Sequence, residues 1–191
     1  MCAQLRRFNE PSAEGSEYYA LAEDGRRAVS KRTGDNWTAL GGVLGVGEAI
    51  RLKCVVKGGR ASVGVAPRDA EQAGRTIGVQ QGSVGVFSFG ALWVDGSGQR
   101  RDLPTWGAGS VIELKRVSEG VYSWSKGGKE IARHEAVGEV VWGVGGGDGT
   151  TWEVVEEVRT AWRAARLRGD GASDDALVIA PLISTALLTA L

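Results

Sequence analysis

The sequence is poor in the residues that most enzyme chemistry needs. Its 191 residues hold one His, two Cys, one Met and four Pro. A single His134 with Cys2 and Cys54 far apart offers no zinc-ligand spacing. Two cysteines also make no disulfide framework. Cys54 lies inside an apolar alternation and reads as a small buried hydrophobe. No GxSxG elbow is present. Asp69 and the Asp174-Asp175 pair stand alone, without a calcium loop around them. The chain lacks net charge as well, with Lys+Arg 23 against Asp+Glu 23. A neutral chain has no global attraction to nucleic acid or to anionic lipid. Its opening, MCAQLRRFNEPSAEG, has no apolar core, so it does not read as a secretory signal. Position 2 is Cys, which excludes N-myristoylation. The expected compartment is reducing and cytoplasmic.

What is abundant is glycine, 30 residues, in a chain of ordinary hydrophobic (42%) and charged (24%) content. The length suits one domain with a sizeable core. The hydrophobic period is two. In AIRLKCVVK, Ile50, Leu52, Cys54 and Val56 oppose Arg51, Lys53 and Lys57. Ile112 and Leu114 oppose Glu113 and Lys115, and Tyr122 and Trp124 oppose Ser123 and Ser125. Val140, Trp142 and Val144 share a face, as do Trp152 and Val154. Each pattern predicts a strand with one buried face. Asp24-Gly25, Gly58-Gly59, Asp95-Gly96, Glu119-Gly120, Gly127-Gly128 and Asp148-Gly149 supply turns between them. Closely spaced strands with no helices between them predict an all-β, antiparallel two-sheet sandwich.

The stretch GVYSWSKGGKEIARHEAVGEVVWGVGGG, residues 120–147, tests this against chemistry. GVYSWSK-GG-KEIARH reads as a hairpin about a Gly-Gly turn. In GVGGGDG, Asp148 stands where GxGxxG needs its third Gly, and a strand pattern follows where a phosphate site needs a helix. His134 reads as a partly exposed strand-end residue rather than a general base.

The same residues resemble the SPRY domain family over about residues 8–155. WGAGSVIELKRV, GVYSWSKGG and VVWGVGG follow the order of that family's C-terminal half. Trp37 in DNWTAL stands where the family's opening strands place a Trp. IRLKCVVKGGRASVGVAP resembles the strand pair that ends in a hydrophobic-Gly-hydrophobic-Ala run, here Val63 to Ala66. In the penultimate strand Val141-Trp142-Gly143 replaces the family's proline, and Gly127 replaces its hairpin Asn. Residues 74–101 depart most. The resemblance implies a concanavalin A-like jelly roll without cofactor or catalysis. It implies a protein-interaction module whose partner binds loops at one end.

Seven tryptophans are many for this length. Trp37, Trp124, Trp142 and Trp152 are expected in the core. FGALWVDGSGQRRDLPTWG places Trp93 before the Asp95-Gly96 turn and Trp106 after Pro104, with Arg100 and Arg101 between. Trp and Arg are enriched in binding hot spots, so Trp93, Asp95, Arg100, Arg101 and Trp106 form the expected ligand-binding segment. A core Trp93 with solvated arginines is the plainer alternative. Trp93 and Trp106 together on an exposed sheet face would instead make a sugar platform. A carbohydrate-binding module therefore stands as the second reading, separated from the first by where those two side chains lie.

Residues 1–7 read as a flexible terminus. Beyond residue 155, Val155, Val158, Trp162 and Ala165 mark one face of an expected helix over 156–168. Glu156 and Glu157 near its start and Arg163, Arg166 and Arg168 near its end complement the helix dipole. A polar spacer, GDGASDD, leads to an uncharged run, residues 176–191. Sixteen helical residues would span about 24 Å, short of a ~30 Å hydrocarbon core. Packing on the domain, a short membrane tail and a cleaved lipid-anchor signal all remain open for this segment.

Overall fold

The period-two segments fold as strands. The structure, a computed structural model, describes residues 6–31, 36–70 and 74–155. The expected helix, spacer and apolar tail lie outside these residues. A single-turn helix α1 (Gly15–Tyr18) precedes β1 (Tyr19–Ala22), β2 (Arg27–Ser30) and β3 (Trp37–Leu40). Then come β4 (Ala49–Val56), β5 (Ser62–Pro67), β6 (Val84–Phe87), β7 (Ala91–Val94) and β8 (Ser97–Arg100). The chain continues through β9 (Val111–Ser118), β10 (Val121–Lys126), β11 (Lys129–Glu135), β12 (Val140–Gly146) and β13 (Thr151–Val154). All pairings are antiparallel. The larger sheet runs β1-β2-β13-β4-β9-β10-β11 and the smaller β3-β12-β5-β6-β7-β8. The expected hairpin is β10–β11, turning on Gly127 and Gly128 with φ of 59° and 79°. Only glycine takes both positive φ values freely, which is why this two-residue turn works here.

The sheets face each other across one core. Ile50, Leu52, Cys54, Ile112, Leu114, Tyr122 and Trp124 from the larger sheet meet Val63, Val65, Val84, Val86, Leu92 and Val144 from the smaller. Tyr19 stacks on Trp37 at 5.3 Å, and Phe8 tilts against Trp142 at 5.1 Å. Two indoles of the larger sheet reach across. Trp124 Nε1 donates to the Val63 carbonyl and Trp152 Nε1 to the Gly145 carbonyl, each at 3.0 Å. Val56 departs from its expected inward position and is 49% exposed. A bulge is the cause. Thr151 pairs with Val56 but Trp152 pairs with Cys54, so one residue of β4 is skipped and the alternation reverses beyond it.

The smaller sheet is buried on its far face too. Six register partners run across it in one row: Leu40, Gly143, Gly64, Gly85, Trp93 and Gly98. Three adjacent glycines leave a trough, and the chain between β5 and β6 lies in it. A Cβ on Gly143 would come within 2.6 Å of Ile77 Cδ1, and one on Gly64 within 2.6 Å of Ile77 Cγ2. Ile77 thereby closes a second, small core with Leu40, Ala66 and Val141. The strap is held to the sheet by polar contacts. Thr38 Oγ1 donates to the Arg75 carbonyl at 2.7 Å and accepts from Gln80 Nε2 at 3.0 Å. Gly78 N–H donates to Ser83 Oγ at 3.0 Å. Gly64→Ala should therefore destabilise the fold by ~1–3 kcal/mol through overpacking. Gly42→Ala, where a Cβ meets nothing within 4 Å, should stay within about 0.5 kcal/mol. Urea denaturation of both variants checks this; equal midpoints would contradict the trough.

Candidate functional site

The expected ligand segment divides when folded. Trp106 is not a surface anchor: it is 4% exposed and meets Trp152 edge-on at 5.4 Å. The chain after Pro104 turns inward because Leu103 N–H donates to the Gly90 carbonyl and Trp106 N–H to the Ser88 carbonyl, each at 3.0 Å. Asp95 is a turn residue, with φ of 50°, and its carboxylate accepts the Gly82 N–H. Arg100 ends β8, an exposed edge strand that the sequence did not signal, and grips Asp102 with two bonds. Nε to Oδ1 is 3.0 Å and Nη2 to Oδ2 is 2.9 Å. That hydrogen bonding holds the Asp102 carboxyl below the usual range and raises Arg100 further. Arg100 is therefore already occupied. Trp93 is half-buried on the far face of β7, against Phe87 at 5.7 Å. Arg101 is exposed, and its Nε lies beside the open position over Gly98, on which the Trp93 indole also borders. Trp93 and Arg101 thus remain together at the sheet edge, while Trp106, Asp95 and Arg100 have structural tasks. The two-tryptophan platform for a sugar is not formed.

The register defines two ends of the sandwich. The leading end is where β12 begins, at Val140 opposite Pro67; the trailing end is where it finishes, at Gly145 opposite Ser62. Loops 23–26, 41–48, 68–83, 95–96, 119–120 and 136–139 gather at the leading end. Loops 57–61, 88–90, 101–110, 127–128 and 147–150 gather at the trailing end. Arg116 ties the leading loops together. Its Nη1 donates to the Leu44 carbonyl at 3.1 Å and its Nη2 to Glu119 at 2.6 Å. Its own carbonyl accepts from Gly47 at 2.8 Å, and next along, Ala136 N–H donates to the Gly120 carbonyl at 2.8 Å. Arg6 adds an ion pair to Glu48 at 2.6 Å. On this frame stand Val43, Val46 and Val137, exposed by 40%, 56% and 86%. These three were not singled out in the sequence. Their only signal is a large apolar residue next to a glycine in a loop.

No family model matches the chain and no curated protein matches it. Solved structures do. A human SPRY domain aligns at 15% identity and a TM-score of 0.56, over 72% of this chain and 94% of that one. The PSpry domain of TRIM65 aligns at 14% and 0.61, over 80% and 90%. The SPRY domain of human HERC1 aligns at 17% and 0.58, over 75% and 97%. The fold is that of a SPRY domain. The expected motifs fall on strands: Trp37 opens β3, Val63–Ala66 lies in β5, and Val141-Trp142-Gly143 lies in β12.

On this SPRY scaffold burial raises the Tyr19, Cys54 and Tyr122 groups, while hydrogen-bonded ion pairing shifts Arg100, Asp102 and Arg133 at the surface. Among the described residues no three His, Cys, Asp or Glu side chains gather to hold a metal. His134 sits on β11 opposite Tyr122, partly exposed. Cys54 is buried in the core and donates to the Val56 carbonyl at 3.5 Å. Burial pushes its thiol up to about 11, with Lys57 opposing in part. A thiol in that state is a poor nucleophile at neutral pH. In a Cys2→Ser protein, Ellman's reagent at pH 8 should find no fast-reacting thiol until denaturant is added. The raised value also has a sign for stability. Cys54 keeps its proton longer when folded, so its contribution is intact below the ordinary value of 9.0 and is lost as pH rises toward about 11. A Cys54 that reacts in the native protein at the rate of a free thiol would contradict its placement.

Proposed function

We propose that the chain is a non-catalytic protein-interaction module that binds a protein or peptide through the loops of its leading end. The observation that carries this reading is the display of Val43, Val46 and Val137 on loops that Arg116 and Glu119-Gly120 stitch together. An apolar patch on a mobile loop loses affinity to ordering; one on a fixed frame does not. The surroundings suit an interface, with the Arg68–Glu139 and Arg116–Glu119 pairs forming a polar rim. Loops on a rigid sheet scaffold are where binding residues concentrate. The SPRY fold supports a protein partner in general terms. The carbohydrate reading rested on a Trp93–Trp106 platform, and a buried Trp106 removes that basis.

The test is a double variant, Val46→Asp/Val137→Asp, compared with the parent in affinity capture and then in titration with the captured partner. Binding should weaken at least tenfold, about 1.4 kcal/mol, with the melting temperature unchanged within a few degrees. Full binding by the double variant would overturn the proposal, as would retention by a glycan array that neither substitution disturbs.

A further inference from the structure

The chain is neutral as a whole, but its two ends are not. At the leading end, counting the strand-end residues 27 and 135, the acids on described residues are Glu23, Asp24, Glu48, Asp69, Asp95, Glu119, Glu135 and Glu139, against Arg26, Arg27, Arg68 and Arg75. At the trailing end, counting the strand-end residues 100, 126, 129 and 130, the balance reverses. Lys57, Arg60, Arg100, Arg101, Lys126 and Lys129 stand against Asp102, Glu130 and Asp148. Those acids are already engaged. Asp102 is held by Arg100, and Glu130 accepts from Arg133 at 2.8 Å. Lys57, Arg60, Arg101, Lys126 and Lys129 have no carboxylate partner among the described residues. Like charges so placed raise the local potential and favour an anion brought from outside.

These cations surround an apolar anchor. Phe89, in the β6–β7 turn, is 47% exposed. It rests on Phe87 at 5.1 Å, which in turn contacts Trp93 at 5.7 Å, so an aromatic ladder runs from the turn onto the sheet face. The turn is fixed to the β8–β9 loop through the Gly90–Leu103 and Ser88–Trp106 backbone bonds. Lys126 Nζ donates to the Thr105 carbonyl at 2.8 Å, which sets its charge beside that same loop. A Cβ on Gly90 would lie 3.4 Å from Thr105 Cγ2, and one on Gly107 would lie 3.9 Å from Lys57 Cδ. Phe89, Arg101, Lys57 and Lys126 are therefore carried by one braced assembly of three loops and the end of β10.

We propose that this trailing end is a second docking surface, and that its occupant is an extended acidic protein segment bearing aromatic residues. Carboxylates would lie on Arg101 and the lysines, and an aromatic side chain on Phe89. The choice of occupant follows from charge and shape together. Unpaired cations select an anion, and an exposed ring backed by two more selects an aromatic partner within it. This surface stands apart from the leading-end site, and neither depends on the other.

The probe is a fluorescein-labelled ten-residue peptide of alternating Glu and Phe, titrated by anisotropy with the full chain in 50 and 300 mM NaCl. A Glu/Ser peptide of equal charge is the control. The Glu/Phe peptide should bind more tightly than the control and weaken with salt. Arg101→Glu/Lys126→Glu should weaken it at least tenfold, and Lys129→Glu, on an exposed turn, should weaken it in the same direction. Phe89→Ser should remove the preference for Glu/Phe and leave the control unchanged. Val46→Asp/Val137→Asp should change nothing here, which separates this surface from the one at the other end. Equal binding of the two peptides, unaffected by Phe89→Ser, would overturn the proposal. So would capture by phosphatidylserine vesicles without peptide binding. Self-association in sedimentation that Arg101→Glu abolishes, without peptide binding, would also overturn it and assign the occupant to the acidic end of a second copy.

Discussion

Two indole N–H groups crossing the sandwich set the spacing on which everything else depends. Trp124 and Trp152 belong to the larger sheet, yet their hydrogen bonds end on backbone carbonyls of β5 and β12. A buried indole needs an acceptor, and leaving it without one is costly. Here the acceptors belong to strands of the smaller sheet, so satisfying the tryptophans also fixes how the two sheets face each other. The core then closes around them, with Trp106 wedged on Trp152 and drawing the β8–β9 loop inward. That loop is where sequence reasoning expected a surface site, and the demand of one buried ring is what partly dismantled it.

Much of the fold was legible because one-sided burial writes itself as alternation. β4, β9, β10 and β13 were readable from Ile50 to Trp152, and the Gly-Gly hairpin from its turn alone. Elsewhere the code fails for physical reasons. β12 is buried along its whole length, so Val141 and Val144 look alike although they face different cores. β8, with Ser97, Gly98, Gln99 and Arg100 all exposed, has no apolar residue to announce it. The bulge at Val56 inverts a pattern without changing it. Trp106 beside a proline and two arginines reads as a surface residue until its partner Trp152, distant in sequence, is known. Of the expected site, only Trp93 and Arg101 stay together and uncommitted to another part of the fold.

Neutrality had a similar hidden content. Equal numbers of acids and bases argue against a global field. They do not exclude segregation, because loops that alternate along the chain alternate between the ends of a sandwich. Successive connections therefore place their charges at opposite poles. A molecule of this kind has no overall attraction to a polyanion and still presents a cationic face to a short acidic segment. The leading end, richer in acid and bearing three exposed valines, presents a different chemistry to a different contact.

The glycine trough has a consequence for motion. Strands β12 and β5 are covered on one side by the larger sheet and on the other by the strap that carries Ile77. Their amide hydrogens have neither a solvent-facing side nor a free edge through which to open locally. Exchange with deuterium at Val63, Gly64 and Gly143 then waits for global unfolding, whereas the amides of edge strand β8 exchange through small fluctuations. The smaller sheet thus grades from a rigid centre to a labile rim within the span of six strands.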